Sequence, residues 1–192
     1  MAVRGRIILL AVALFGFVAL GQVPVVAQTS TAQFEISGTS TVRGWTCPVD
    51  GMMDVTPGSG GEAVPGFPTG VETVALTILV EAIECPDEQM TEHLREAMHP
   101  EDYPEIVYRL EAYTLRTDDT AEATGTMTIH GTTNPITFDI QLVQSAEGMR
   151  GVGEAELDMT EYGVTPPSVW LGMLNVGDTV TIKFDAPLPG SN

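Results

Sequence analysis

The chain has 192 residues, 43% of them hydrophobic, and sets 26 acidic residues against 8 lysines and arginines for a formal net charge of −18 at pH 7. That length suits one domain whose core can form without metals or many cross-links. The acidic surface repels phosphate backbones and the headgroup layer of an anionic membrane, so neither nucleic acid nor charge-driven binding to a membrane surface is expected, and a basic protein is the kind of macromolecule it can attract.

Taken in chain order, residues 1–27 predict a secretory signal peptide. Arg4 and Arg6 precede an apolar run from Ile7 to Leu20, and Val25 and Ala27 are the small residues expected ahead of cleavage at Gln28. The run falls short of the roughly 20 residues a membrane-spanning helix needs, so no stable membrane anchor is expected. The mature domain is then 28–192, periplasmic or secreted, and it is more acidic still once Arg4 and Arg6 are gone.

From there the apolar residues recur with period two. Phe34, Ile36 and Gly38 alternate with polar neighbours in a first predicted strand, and a second runs from Trp45 towards Met53. The stretch TPGSGGEAVPGFPTG, Thr56 to Gly70, holds too many glycines and prolines for regular structure. A third strand places Val74, Leu76, Ile78, Val80 and Ala82 on one face. The next segment, PDEQMTEHLREAM, has Pro86 and acids in its first turn and Met90, Leu94, Ala97 and Met98 at helical spacing, so it predicts the one helix.

Five more strands follow, carried by Ile106, Tyr108 and Leu110; by Ala123, Gly125, Met127 and Ile129; by Ile136, Phe138, Ile140 and Leu142; by Gly153, Ala155, Leu157 and Met159; and by Val180, Ile182 and Phe184. Eight short antiparallel strands, each with one apolar face, close as a barrel or stack as a sandwich. The barrel is favoured, because Trp45 precedes Cys47 instead of lying between the cysteines as in an immunoglobulin-type sandwich, and Cys85 sits at a helix entrance. The expectation is an all-β domain: an eight-stranded antiparallel, lipocalin-like barrel with one capping α-helix.

Cys47 and Cys85 both lie in the exported part, where an oxidising compartment and an even count favour a disulfide between them. No nucleophile elbow, phosphate loop or HExxH motif occurs, and no enzymatic activity is expected. Glu154, Glu156 and Asp158 form a row on the polar side of one strand, facing water. His93 and His99 are six residues apart, a spacing that does not bring two side chains to one helix face, and no metal site is expected. His130 ends a strand at a hairpin corner, where Thr132, Thr133 and Asn134 are neighbours able to satisfy it.

The inward faces bring together Phe34, Trp45, Leu76, Ile78, Tyr108 and Met127, then Phe138, Ile140, Met159 and Phe184, with Met90 and Leu94 from the helix. Met173 belongs to the same apolar set. Thioethers and rings adapt well to a flexible alkyl or isoprenoid chain, and equally well to one another, so alternation alone is met both by a dry packed core and by a cavity. The segment EYGVTPPSVWLGMLNVG is apolar yet broken by Pro166 and Pro167. It cannot continue the sheet, and Tyr162, Trp170, Leu171 and Leu174 can form either a lid or a fixed plug.

The pieces GTSTVRGWTC, MTEHLREAMHPEDYPEIVYRL, GTMTIHGTTNPITF, TEYGVTPPSVWLGML and VGDTVTIKF, in that order, resemble the YceI-like family of polyisoprenoid-binding, lipocalin-like proteins over nearly all of Gln33 to Phe184. The resemblance implies an apolar interior that holds a long-chain lipid of the polyisoprenoid or isoprenoid-quinone type in the periplasm, as a carrier or reservoir. Such a bound isoprenoid lipid would be the one non-protein component, with no cofactor besides. The other reading is a ligand-free barrel that serves as a structural or protein-interaction module.

Overall fold

The computed structural model describes residues 27–169 and 173–188. The predicted signal peptide lies outside the described residues but for Ala27, as do Trp170 and Leu171. Nine strands and one helix follow in order: β1 (Gln28–Ser40), β2 (Gly44–Pro57), β3 (Val71–Leu79), α1 (Glu88–Met98), β4 (Glu105–Thr117), β5 (Thr120–Ile129), β6 (Thr132–Ser145), β7 (Gly148–Asp158), β8 (Ser168–Val169) and β9 (Leu174–Pro187). β1 through β7 pair in sequence, β7 pairs with β9, and β9 returns to β1, all antiparallel, so eight strands close on themselves. β8 is a two-residue addition at the rim of β9, where Ser168 pairs with Asn175 and Val169 with Leu174. Among the described residues no helix is long and apolar enough to cross a membrane.

The alternation does what its period demands. Along β5 every second residue is buried, and β1 buries Ala32, Phe34 and Ile36 while Thr31, Gln33 and Glu35 stay exposed. Glu154 and Glu156 on β7 are exposed and Asp158 is half-buried, a polar row turned away from the core. The strands are longer than their apolar centres suggested, because the hydrogen-bonded ladder continues into polar ends such as Gln28 to Thr31 of β1, which pair with β2.

β3 is the exception. It ends at Leu79, and Val80 to Ala82 form a 3-10 turn, so Ala82 is exposed and not part of an inner face. Val80 leaves the ladder but stays fully buried, its amide donating to the Pro104 carbonyl at 2.9 Å.

The helix starts where an acceptor is available to cap it. Asp87 is the N-cap, and its side chain accepts from the Met90 amide at 3.2 Å, with Pro86 just before it. It stops at His99, which adopts the left-handed conformation with φ of 47°. Cys47 of β2 and Cys85, just ahead of the helix, are disulfide-bonded with Cα atoms 4.3 Å apart, as expected. The bond and the hydrogen bond from the Arg95 guanidinium to the Glu81 carbonyl, 2.8 Å, hold α1 over one end of the barrel.

The opposite end is closed by the Gly/Pro-rich loop between β2 and β3. It turns back on itself through paired Val64 and Phe67, and buries Phe67 almost completely.

Candidate functional site

The barrel interior is neither wholly hollow nor wholly filled. Beneath α1 lies a chamber of about 250 Å³, lined from the strands by Ile36, Trp45, Leu157 and Ile182 and from the helix by Met90 and Leu94. Behind the Phe67 loop is a second, smaller cavity of about 100 Å³. Between them a void of only 20 Å³ marks the middle of the barrel. It shares Ile106 and Ile182 with the chamber and Tyr108, Phe138 and Phe184 with the smaller cavity, so it lies between the two.

Aromatic packing closes this waist. The rings of Tyr108 and Phe138 stand 5.1 Å apart, and those of Phe138 and Phe184 meet edge-on at 5.6 Å. Glycines opposite the rings let them lie flat against the wall. A Cβ at Gly125 would come 2.9 Å from the Tyr108 ring, and one at Gly153 2.6 Å from that of Phe184. In a barrel of eight strands three such rings suffice to fill the cross-section.

The predicted site residues therefore divide into groups. Trp45, Met90, Leu94 and Met159 line the chamber under the helix. Phe34, Leu76, Ile78 and Met127 pack at the waist with Tyr108, Phe138 and Phe184. Ile140 lines only the smaller cavity. Tyr162, in the β7–β8 connection, is 3% exposed and belongs to the packed core; it lines none of the three cavities. Trp170 lies outside the described residues, and Met173 is 73% exposed, with no share in the core.

Sequence reading missed most of the chamber wall, including Ile129, Val164, Val176 and Val180. Ile129 and Val180 were legible as inward positions, whereas nothing in their type separates a residue beside a void from one beside a neighbour. Val164, Pro167 and Leu174 line the chamber, and Thr41 in the β1–β2 turn ties the rim together by donating from its hydroxyl to the Met173 carbonyl at 3.1 Å.

The polar residues of the chamber lining come from the β1–β2 turn, Ser40 and Arg43, and from α1 and its cap, Asp87, Gln89 and His93. Elsewhere polar atoms are few, and three that are buried have no hydrogen-bond partner among the described residues: Arg95 Nε, Tyr108 Oη and His130 Nε2. His130 is thus not satisfied by Thr132, Thr133 and Asn134. Its ring lies tilted against those of Tyr103, at 4.2 Å, and His99, at 5.6 Å, and its own backbone is left-handed with φ of 49°. Asp158 accepts from the side chain and the amide of Thr160, which hold its carboxyl below the usual range.

Burial pushes the Tyr108 phenol well above its ordinary value of 10.0, and the Glu111 carboxylate adds to the shift. A buried hydroxyl without a partner carries a desolvation cost that Phe would not, so Tyr108→Phe is expected to raise stability by about 1 kcal/mol in urea unfolding. The pH dependence has a defined sign. The unfolded chain releases this proton from about pH 10 and the folded chain does not, so wild-type stability falls with rising pH above that point. The Phe variant should show a flatter alkaline limb.

The waist offers a second check. Ala155 is 6% exposed and faces the 20 Å³ void, which has no space for an added phenyl ring. Ala155→Phe is expected to overpack and cost about 1–3 kcal/mol in thermal or urea unfolding. Because Ala155 does not line the chamber, affinity for a ligand held there should stay within about twofold.

Comparison with known proteins agrees with this architecture. The model of the YceI-like domain matches residues 23–188. Among solved structures, BcnA of Burkholderia cenocepacia superposes with a TM-score of 0.58 at 18% identity, over 79% of this chain and 94% of that one. A polyisoprenoid binding domain from Saccharophagus degradans, implicated in plant cell wall breakdown, gives 0.59 at 11% identity, over 85% of this chain and 100% of that one. The YceI protein of Campylobacter jejuni gives 0.53 at 12% identity, over 67% and 78%. At such identities the likeness is one of fold. No curated protein is similar enough to count as a relative.

Proposed function

The chain belongs to the YceI-like domain family, and on that premise we propose that it is an exported binding protein which shelters the apolar chain of a lipid inside its barrel. The observation that carries the reading is the chamber of about 250 Å³ under α1, walled by aliphatic side chains, thioethers and Trp45. Each methylene moved from water into such a wall contributes about 0.8 kcal/mol, so a hydrocarbon tail is held without any charged contact. The polyisoprenoid named for the S. degradans domain supports an isoprenoid or similar tail as the ligand class.

Export is supported by Arg4 and Arg6 ahead of the Ile7–Leu20 apolar run, and a disulfide suits a periplasmic or extracellular address. The role is binding as carrier or reservoir, with no chemical step assigned to any residue.

Titration with a fluorescent geranyl probe tests the reading. Saturable binding by wild type is expected, with one probe per chain, and Leu94→Trp, which fills the chamber with an indole, should weaken it at least tenfold. Absence of saturable binding by wild type would refute the proposal. So would an unchanged affinity in a Leu94→Trp protein of native stability.

A further inference from the structure

We infer that the chamber under α1 is a site for a single-chain amphiphile with a tail of about ten carbons and an anionic head held at Arg43 and His93, a refinement that rests on the lipid-binding reading above. Volume sets the tail. A dry apolar cavity of about 150 Å³ accepts benzene, which is roughly 25 Å³ per carbon, and on that scale the 250 Å³ chamber takes about ten carbons. That is two isoprene units. The tail cannot run on into the smaller cavity of about 100 Å³, because the waist between them leaves 20 Å³ and is closed by the packed rings of Tyr108, Phe138 and Phe184.

Charge sets the head. In a chain with 26 acidic residues cations are scarce; of the six arginines and lysines among the described residues four are engaged, and Arg109 does not line the chamber. Arg116 pairs with Glu122 and Asp139, Arg150 with Asp185, Lys183 with Glu35, and Arg95 donates to the Glu81 carbonyl. Arg43 lines the chamber and makes no ion pair among the described residues.

His93 and Gln89, one helical turn apart on α1, line the same chamber and bring further N–H donors. The carboxylate among these polar groups, Asp87, is occupied as the helix N-cap by the Met90 amide. Glu88, Glu92 and Glu96 of α1 are exposed and do not line the chamber. A carboxylate or phosphate head at the chamber mouth would take the Arg43 guanidinium and the amide and imidazole donors of Gln89 and His93, with its tail among Met90, Leu94 and Ile182.

Isothermal titration of the purified full-length mature protein with hexanoate, octanoate, decanoate, octadecanoate and 1-decanol, each below its micelle concentration, tests this. Affinity should climb up to about fourfold per added methylene as far as decanoate and gain nothing by octadecanoate. Arg43→Gln, on an exposed turn, should weaken decanoate at least tenfold and 1-decanol less than twofold. His93→Gln should weaken decanoate in the same direction by a smaller factor. Affinity that keeps rising to octadecanoate would overturn the tail limit, and equal losses for decanoate and 1-decanol in Arg43→Gln would overturn the anionic head. Failure of every compound, and of the geranyl probe, would sink the binding reading itself; uptake of the geranyl probe with neither length nor charge preference would sink this inference alone.

Discussion

Removing the Cys47–Cys85 bond, by the paired changes Cys47→Ala and Cys85→Ala, is expected to lower the stability of the protein by about 3–4 kcal/mol. The two residues are 38 apart in sequence, and the loop they close restricts the unfolded chain by that order in the chain-entropy model. The native state gives a second reason. Cys47 is fully buried in β2 and Cys85 stands two residues ahead of the Asp87 cap, so the bond is a covalent attachment of α1 to the barrel wall.

Without it the helix is held by the hydrogen bond of Arg95 to Glu81, that of the Cys85 amide to the Thr91 hydroxyl at 3.0 Å, and its apolar contacts. α1 forms one wall of the chamber, so ligand affinity should fall together with the urea midpoint. A loss of less than about 1 kcal/mol, with unchanged probe binding, would show that the helix is anchored by packing alone.

Gly125→Ala should cost about 3 kcal/mol, at the upper end of overpacking effects. The new methyl would lie 2.1 Å from the Arg109 carbonyl oxygen of the neighbouring strand, and backbone cannot step aside as a side-chain tip can. The site coincides with an irregularity in the β4–β5 ladder, where Leu110 pairs with Gly125 but Ala112 with Thr124. The same methyl would lie 2.9 Å from the Tyr108 ring and push on it, loosening the waist. Gly151→Ala is the control. There the methyl would meet Ile140 at 3.6 Å and Leu188 at 3.8 Å, ordinary contacts at the edge of the smaller cavity, so stability should hold or rise. Equal costs at the two glycines would mean that backbone entropy, not steric contact, governs both.

The architecture was legible because a barrel strand writes its burial into every second residue. The run Ala123, Gly125, Met127, Ile129 predicted one face, and all four are buried in β5. The helix was legible from Pro86 and the acids after it, although the cap is Asp87 and the first helical residue Glu88. Period two, however, says which face a side chain takes and not what it meets there. Ile78 and Ile36 have the same parity and type, yet Ile78 packs at the waist and Ile36 faces a chamber. The difference arises where three rings from β4, β6 and β9 arrive at one level, a coincidence of register that single strands do not disclose.

Phe67 was hidden for another reason. Its glycines and prolines mark a loop, and nothing local says that a loop residue will be 2% exposed and stop the end of a barrel. Val80 shows the reverse case, since it keeps its inward burial after its strand has ended, and the apolar pattern therefore overran the strand by three residues.

The most direct measurement of the central claim is mass spectrometry of the organic extract of protein purified from its native source, with native mass spectrometry of the same sample before extraction. The account predicts a single apolar-tailed molecule, near one per chain, that is absent from the Leu94→Trp variant prepared in the same way. A wild-type protein that is native in stability and carries no extractable apolar molecule, or one that retains the same molecule in Leu94→Trp, would contradict it.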